Sequence, residues 1–491
     1  MTGTTLSPEI ASPLESVGLR GRVGETAVTP RIVYGGTFAY AALFVFASVL
    51  HYVVFQSGRA DLGSMVQAIW NTVHGHVLGT TTAAGSEVSR LGIHVDPLLI
   101  LVAPLFWIWS SPLLLPIVQV LAVASGALPV FWLARKHLGS SRPAANFAFA
   151  YLLYPATQFN AFTIAAGFHP LSLAVPLVLY ALWFLDEDRL VAFSILALLA
   201  STTNEEVPLA VGCLGIWYAV RKGRRLFGLG VFAAGLAVTV FDFLWVIPHF
   251  SRSGADPFSG RYRAVGGTPG GMAHKLATDP MAFVHAVATG HKAVFLVLML
   301  FPFLGLWLLE PLLFFGAVPA LVINLLSSWG NQTSIGYEDT AAIVPFVVAA
   351  SVLGTARLKR GASRVSVLIL TAVAIIAIYS PVYFLAKDVR ALGSSSISAK
   401  AHALSLIPPG APVSASNLLG GHLSERRYVA TFPYVSRARW IVVDTRDPTY
   451  RGGATLLARD LQKYESDGAW RIVYSSDNIV VLRRLKGSYS G

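Results

Sequence analysis

The first side chain that could do chemistry is Asp61, which lies between the first apolar segment and an amphipathic stretch over residues 62–77. The spacing of Met65 and Ile69 predicts a helix over that stretch. A carboxylate held over a membrane surface could act as a general base, whereas Asp is also favoured as a helix N-cap. Both interpretations stay open. Gln67, in the same stretch, is a candidate for substrate binding.

Glu205 and Glu206 are adjacent carboxylates in the stretch Asn204-Glu205-Glu206-Val207-Pro208, between two apolar segments. Charged side chains in a membrane are expensive and usually functional, so both are catalytic candidates. Neighbouring residues on a helix point in different directions, and one of the two is therefore expected to serve the site. The alternative is a short hydrated turn at the membrane surface.

His94 and Asp96 lie two positions apart in the stretch His94-Val95-Asp96-Pro97. They could polarise a substrate hydroxyl, or they could hold a divalent metal, Mg²⁺ or Mn²⁺, together with Asp61. Asp96 could instead cap a helix that has Pro97 at its first position. No cofactor is assigned beyond this candidate metal set of Asp61, His94 and Asp96.

Three more binding candidates lie at turns between apolar segments: His169, Tyr337 and Glu338. A single histidine at a turn is often structural, which is the alternative for His169. Tyr337 and Glu338 precede a late apolar segment and are expected to add a hydroxyl and a carboxylate to the same face as the other candidates.

The long loop 249–291 supplies basic side chains, among them His249, Arg261 and Arg263. Arginines hold phosphate through strong charge-assisted hydrogen bonds, and basic groups also meet anionic lipid headgroups. The three residues are therefore candidates for binding a phosphate-bearing substrate or membrane lipid.

The elements that must position these residues are membrane helices. Only 13% of the 491 residues are charged, 54% are hydrophobic, and the mean hydropathy is +0.61. Soluble proteins carry roughly 25% charged residues, so a cytosolic enzyme, a disordered chain and a secreted disulfide scaffold are excluded. The single cysteine, Cys213, allows no intramolecular disulfide. The net charge is +12, but the positive residues lie mainly between apolar segments, which is the pattern of a topology signal, so nucleic acid is not an expected partner.

The apolar segments predict an all-α membrane protein with about eleven transmembrane helices. The predicted spans are 32–55, 113–134, 143–158, 171–185, 190–204, 206–221, 226–248, 292–309, 311–328, 339–356 and 365–386. With the N-terminus inside, the inner loops and the N-terminal tail hold 15 Lys and Arg, and the outer loops about seven, as the positive-inside rule requires. An odd number of spans then places the C-terminus outside.

Three regions follow from this topology. Residues 1–31 are predicted to be a disordered cytoplasmic tail, and residues 32–386 a polytopic membrane domain. Its first outer loop, 58–112, should contain interfacial helices, since the apolar stretch 97–109 is short and contains Pro104. Residues 387–491, with 23 charged positions among 105, should form a small α/β domain outside the membrane.

Ten of the 17 acidic residues before position 387 fall on or near the outer face in this topology. The positive-inside rule does not require this, because acidic residues contribute little to orientation. We therefore expect a polar cavity that opens to the outside near the membrane surface.

The candidate stretches together resemble a bacterial family of uncharacterised polytopic membrane proteins that is similar to the GT-C glycosyltransferases, over roughly residues 35–485. The resemblance is carried by Ala60-Asp61-Leu62-Gly63, His94-Val95-Asp96-Pro97, Phe168-His169-Pro170, Asn204-Glu205-Glu206, and Tyr337 with Ala342-Ile343-Val344-Pro345-Phe346. It implies a GT-C-like topology, with an acid in the first outer loop and a soluble domain outside. Asp61 matches the position of the catalytic Asp, although many GT-C enzymes have a pair of acids there.

The resemblance implies an inverting glycosyltransferase of the bacterial plasma membrane. It would move a hexosyl or pentosyl group from a polyprenyl-phosphate donor to a cell-envelope glycan, lipid or protein, with Asp61 as the general base. Two alternatives stay open: a transporter or lipid flippase that uses the acids to couple ions, and a non-catalytic membrane scaffold. No internal repeat of the kind common in transporters is evident.

Overall fold

The computed structural model describes residues 15–162, 167–254, 257–358 and 360–485, with side chains from residue 30 onward. These residues are mostly helical. The α-helices before the C-terminal domain are Glu15–Val53, Ser64–Val73, Leu98–Val102, Leu105–Ile108, Leu114–Ser125, Ala127–Leu138, Ser141–Leu153, Pro155–Ala161, Ala174–Asp186, Leu190–Ser201, Val207–Arg221, Arg225–Phe241, Ile247–Phe250, Pro269–Thr278, Met281–Val287, Gly290–Leu300, Pro311–Phe314, Val318–Leu326, Val344–Ala356, Ala362–Ile376 and Tyr383–Ala391.

Among the described residues, five helical segments are long and apolar enough to cross a membrane, and a sixth is reached if one pair bent by 65° counts as a single span. The five are Pro30–Val53, Leu114–Leu138, Arg225–Phe250, Glu338–Ala356 and Ala362–Ala391. Four of the other predicted spans correspond to shorter apolar helices: Pro170–Asp186, Leu190–Ser201, Val207–Arg221 and Pro311–Leu326. The chain is thus a multi-pass membrane protein, while the number of eleven spans stays a prediction.

The predicted N-terminal tail needs a correction. Residues 1–14 lie outside the described residues, and the first helix already begins at Glu15 and runs to Val53 with Pro30 inside it. The prediction of disorder over 1–31 is therefore wrong for residues 15–31. Extending an existing helix adds one hydrogen bond for each residue fixed, so the helix of the first apolar segment continues into the polar sequence before it.

The segment 97–109 forms two short helices, Leu98–Val102 and Leu105–Ile108, separated at Ala103 and Pro104. Eleven residues at 1.5 Å each reach only about 16 Å, well short of a bilayer core of about 30 Å. Leu99 is buried against the helix Ser64–Val73, whereas Trp107 is 73% exposed. This two-sided burial fits the predicted interfacial segment.

The loops predicted to lie inside meet one another at one end of the helical bundle. Their contacts are Lys136–Asp186 at 2.6 Å, Lys222 Nζ to the Asp186 carbonyl at 2.9 Å, Arg221–Glu310 at 3.5 Å, and Arg357–Glu310. Glu310 is fully buried among these groups. The five inner loops therefore lie on one face of the protein, as the predicted topology requires.

The C-terminal residues form a five-stranded sheet. Its strands are β3 (Val413–Ala415), β4 (Val429–Thr431), β5 (Trp440–Asp444), β6 (Trp470–Ser476) and β7 (Ile479–Arg484). The labels β1 (Gly79–Thr81) and β2 (Glu87–Ser89) belong to a separate small hairpin in the first loop. The strand order is β4-β3-β5-β7-β6; β3 is parallel to β4 and β5, and β7 is antiparallel to β5 and β6. Helix Ser395–Ser405 packs on one face, and helix Gly453–Glu465 on the other. A short helix, Asn417–Gly420, follows β3. The predicted α/β character of this tail is confirmed.

The C-terminal α/β domain, called the tail domain from here on, is joined to the first loop by Arg59, which is 4% exposed. Its Nε donates to Thr431 Oγ1 at 2.7 Å, and its Nη1 donates to the carbonyls of Thr81 at 2.8 Å and Val429 at 3.2 Å. One guanidinium therefore ties the start of the first loop to the hairpin and to strand β4. Burial lowers the pKa of Arg59 to about 10, so the side chain stays charged at neutral pH.

Close backbone contact accompanies this junction. A Cβ atom added to Gly421 would lie 2.3 Å from the Ser57 carbonyl oxygen, so only glycine lets the two segments touch. We predict that Gly421→Ala destabilises the docked tail by about 1–3 kcal/mol, the usual cost of overpacking. Thermal unfolding in detergent should show a lower Tm, and limited proteolysis should release the tail sooner.

Gly468→Ala is the matched control, because a Cβ there meets nothing within 4 Å. Equal Tm values and equal protease sensitivity for both variants would contradict the tight junction.

Candidate active site

A cavity of about 410 Å³ lies where the first loop meets the ends of several helices. Eight of the residues selected from the sequence line it: Asp61, His94, His169, Glu205, Glu206, Arg261, Tyr337 and Glu338. These residues come from six separate stretches of the chain, and the structure brings the stretches together.

Asp61 lies in a single π-helical turn, Arg59–Gly63, which leads into the helix Ser64–Val73. Such turns are rare and are often found at functional sites. The Asp61 carbonyl accepts a hydrogen bond from Ser64 Oγ at 2.9 Å, but no described side chain pairs with its carboxylate. Burial and the nearby Glu338 charge raise the pKa of Asp61 to about 7, although Arg90 and Arg59 oppose the shift. The carboxylate is thus placed to exchange a proton near neutral pH.

Glu205 is fixed by two hydrogen bonds. His94 Nδ1 lies 2.9 Å from its Oε1, and the Val95 backbone N–H donates to its Oε2 at 2.9 Å. Burial raises the pKa of Glu205, but the charge and hydrogen bond of His94 outweigh burial and lower that pKa overall. The pKa of His94 is raised in turn, because the Glu205 carboxylate outweighs the opposing effect of burial. The two groups form a charged pair in the cavity wall.

Glu206 points into the same cavity and has no hydrogen-bonded side-chain partner among the described residues. Burial, with the charges of Asp339 and Glu205, raises the pKa of Glu206 to about 8. Of the two adjacent glutamates, one is therefore ionised and paired, and the other is mostly protonated at pH 7. Asp339 also lines the cavity, although it was not selected as a site residue from the sequence.

Arg90 is a cavity residue that the sequence reasoning missed. Its Nε lies 2.6 Å from Asp96 Oδ2, and both side chains are buried. Asp96 is therefore a partner of Arg90 behind the cavity wall. The available signal was that Arg90 is one of only about seven basic residues in the predicted outer loops before the tail.

His169 contacts Glu338 in the cavity lining, with Nε2 3.4 Å from Oε1. Its backbone N–H donates to Gln119 Oε1 at 2.7 Å, which fixes the turn. Burial, then the charges of His94 and Arg90, lower the pKa of His169 well below its usual value. His169 is therefore a neutral imidazole beside a carboxylate.

Arg261 is held between two aromatic rings. Its Cζ lies 4.1 Å from the centroid of Phe258 and 5.2 Å from that of Trp329. Phe258 in turn stacks on His94, with ring centroids 4.8 Å apart. No described carboxylate pairs with Arg261, so its guanidinium is a cation held in place and available to a ligand.

Four residues selected from the sequence do not line the cavity. Gln67 is buried beneath the tail domain and donates to the Arg427 carbonyl at 2.8 Å. Asp96 is paired with Arg90, as described above. His249 stacks on Trp245 with centroids 4.8 Å apart, and Arg263 is exposed. Their side chains are directed by local packing that sequence position does not reveal.

The candidate metal set does not fit a metal ion. The described part of the chain contains no group of three or more His, Cys, Asp or Glu side chains placed to hold one. Asp96 contacts Arg90, and His94 contacts Glu205, so these two ligands are already occupied. Asp61, His94 and Asp96, the candidate set from the sequence, therefore do not form a metal-binding group among the described residues.

The fold and the cavity thus define a multi-pass membrane protein with a polar site between its helices and a C-terminal α/β domain. The chain belongs to the family of predicted membrane proteins DUF2079, whose model matches residues 51–481. The predicted membership of a family of polytopic membrane proteins is confirmed. No curated protein matches the sequence.

Two solved structures are similar to the chain at low sequence identity. ArnT from Cupriavidus metallidurans, bound to undecaprenyl phosphate, has 14% identity and a TM-score of 0.49; the match covers 91% of this chain and 98% of that one. The Archaeoglobus fulgidus oligosaccharyltransferase in its apo form has 15% identity and a TM-score of 0.44; the match covers 91% of this chain and 75% of that one.

The buried pair behind the cavity gives a prediction on stability. Asp96→Asn leaves the Arg90 guanidinium buried without a counter-charge, and breaking a buried pair costs about 3–5 kcal/mol. We therefore expect a markedly lower Tm and loss of the folded protein from membranes at raised temperature.

Asp279→Asn is the matched control, because Asp279 pairs with Lys275 at 2.9 Å on the exposed surface, where such pairs contribute little. A Tm for Asp96→Asn as high as that of the control would show that the Arg90–Asp96 pair does not stabilise the fold.

Proposed function

We propose that the protein is a GT-C-like membrane glycosyltransferase. It transfers a sugar from a polyprenyl-phosphate donor to a cell-envelope acceptor at the outer face of a bacterial plasma membrane, with inversion at the sugar C1. The observation that carries the proposal is one cavity in which Asp61 and Arg261 face the same space without a paired partner among the described side chains. The first is a base near neutral pH, and the second is a cation for a phosphate.

The position of the cavity supports the outer face. Its lining includes loops predicted to lie outside, while the basic loops, predicted to lie inside, meet one another elsewhere, around Asp186 and Glu310. The tail domain docks on the first loop next to Asp61. In this proposal the tail therefore lies outside the membrane, on the same side as the substrates.

The proposed reaction is a single displacement. The acceptor hydroxyl gives its proton to the Asp61 carboxylate while its oxygen forms a bond to the sugar C1. The bond between C1 and the phosphate oxygen breaks, and polyprenyl phosphate leaves with that electron pair. Its phosphate thereby gains one negative charge, which the guanidinium of Arg261 stabilises.

The other cavity residues have supporting roles in the proposal. Glu205 holds His94, and His94 backs the Phe258 ring on which Arg261 lies. Glu206, mostly protonated at pH 7, donates a hydrogen bond to a sugar or acceptor oxygen. Tyr337, His169 and Glu338 also line the cavity, and in the proposal they contact the sugar.

The charge balance of the cavity favours a monophosphate donor. Arg90 and His94 each have a carboxylate partner, which leaves Arg261 as the one arginine in the described lining that has no partner. The carboxylates of Asp61, Glu206 and Asp339 have none either. One cation matches the single charge of a phosphodiester, whereas the second charge of a diphosphate would find no further unpaired arginine in the described lining.

We predict that Asp61→Asn lowers the rate of sugar transfer by about 10²–10⁴-fold, the usual contribution of a general base. Binding of the polyprenyl-phosphate donor should persist, because Arg261 is unchanged. The measurement is transfer of a radiolabelled sugar in membranes or nanodiscs, with donor binding measured separately.

Asp477→Asn, an exposed substitution in the turn between β6 and β7, is the control and should keep full activity. Full activity of Asp61→Asn would refute the general-base assignment. If the unaltered protein moves labelled lipid across the bilayer but transfers no sugar, the transporter alternative is favoured. If it shows no lipid movement and no sugar transfer, the scaffold alternative is favoured.

The pH dependence of transfer is the next prediction. Because Asp61 must be ionised and has a pKa of about 7, kcat/KM should rise roughly tenfold per pH unit below that pH and then level off. Because Glu206 must be protonated and has a pKa of about 8, activity should fall again at higher pH. Glu206→Gln should remove the fall and keep the rise; a rise centred near pH 4 would exclude Asp61 as the titrating base.

Arg261→Ala should raise the KM for the donor by at least tenfold and lower kcat, because the developing phosphate charge loses its partner. Steady-state kinetics with varied donor concentration measures both effects. Arg252→Ala, an exposed arginine of the same loop, is the matched control and should leave both constants unchanged. Equal kinetics for the two variants would remove Arg261 from the donor site.

A further inference from the structure

The turn that carries Asp61 is capped by a side chain from the tail domain. The Ala60 backbone N–H donates to Asn417 Oδ1 at 3.0 Å, across a sequence separation of 357 residues. The first N–H groups of a helical turn have no partner within the helix, and Asn is a favoured cap when it directly precedes a helix. Here the cap comes from a distant domain.

The contact between the turn and the tail is close along the whole turn. The Gly63 N–H donates to the Gly58 carbonyl at 3.1 Å and closes the turn. A Cβ added to Gly58 would lie 2.6 Å from Asn417 Nδ2, and one added to Gly63 would lie 2.4 Å from Ser424 Oγ. The backbone of the turn therefore lies directly against the tail surface.

The turn contacts the tail at a characteristic place. Asn417 begins the short helix that follows strand β3, and Thr431, which accepts from Arg59, ends strand β4. The carboxyl ends of parallel strands are where open α/β sheets usually bind their ligands. In this protein the turn Arg59–Gly63 lies at that edge of the sheet.

We propose that Asn417 is a positioning residue for Asp61, so that the tail domain sets the geometry of the membrane-domain active site. The inference rests on the proposed function, which supplies the role of Asp61. The Asp61 carboxylate has no described side-chain partner, so its direction is set by the backbone of the turn alone. A misplacement of about 1 Å at a reacting group can reduce the rate about a hundredfold.

The activity test compares three variants of the full-length protein in nanodiscs at the pH optimum. Asn417→Ala should lower kcat by about 10- to 100-fold with an unchanged KM for the donor, because Arg261 is not affected. Asn417→Asp keeps an acceptor oxygen and should restore most of the rate. Gln462→Ala, which removes an exposed amide from the tail, should behave as the unaltered protein.

Hydrogen exchange followed by mass spectrometry tests the cap without any need for activity. Peptides that cover residues 58–64 should exchange faster in Asn417→Ala, regain protection in Asn417→Asp, and show no change in Gln462→Ala. Exchange at the tail sheet should remain protected in all three, which excludes simple unfolding of the domain.

Unchanged exchange over residues 58–64 in Asn417→Ala would overturn the inference, and so would an unchanged kcat in that variant. Full activity of Asp61→Asn would instead refute the proposed function. In that case the exchange experiment would still decide whether Asn417 holds the turn.

Discussion

The buried guanidinium of Arg59 is the constraint on which the rest of the site depends. A cation removed from water must find hydrogen-bond acceptors, and no described carboxylate pairs with Arg59. Thr81 in the hairpin and Val429 and Thr431 in strand β4 supply the acceptors instead. The first loop, the hairpin and the tail domain must therefore assemble together, and Asp61, two residues further on, takes its position from that assembly.

Charge pairing then determines which cavity groups can react. Arg90 is matched by Asp96, and His94 by Glu205, so four of the charged groups are fixed in the walls. Asp61, Glu206 and Arg261 keep free polar atoms toward the cavity space. Burial disfavours an ionised carboxylate that has no partner. It therefore raises the pKa of Asp61 and that of Glu206 close to neutral pH, where proton transfer is most effective.

Sequence reasoning predicted the parts of the protein that depend on local patterns. It identified membrane helices from apolar length, a small α/β domain within residues 387–491, and most of the cavity from acids in outer loops. It missed Arg90 and placed His249 in the site, because the Arg90–Asp96 pair and the stacking of His249 on Trp245 depend on side-chain directions that sequence position does not reveal. It also could not show that Asn417 caps the turn of Asp61, since Asn and Ala60 are related only by the fold.

A structure of the protein in nanodiscs with a polyprenyl-phosphate analogue tests the central claim most directly. The account predicts density for the phosphate in the cavity, within hydrogen-bond distance of the Arg261 guanidinium, with the reacting carbon facing Asp61. Density for the phosphate among the helices at the middle of the bilayer, with the cavity unfilled, would contradict the account and would instead support transport.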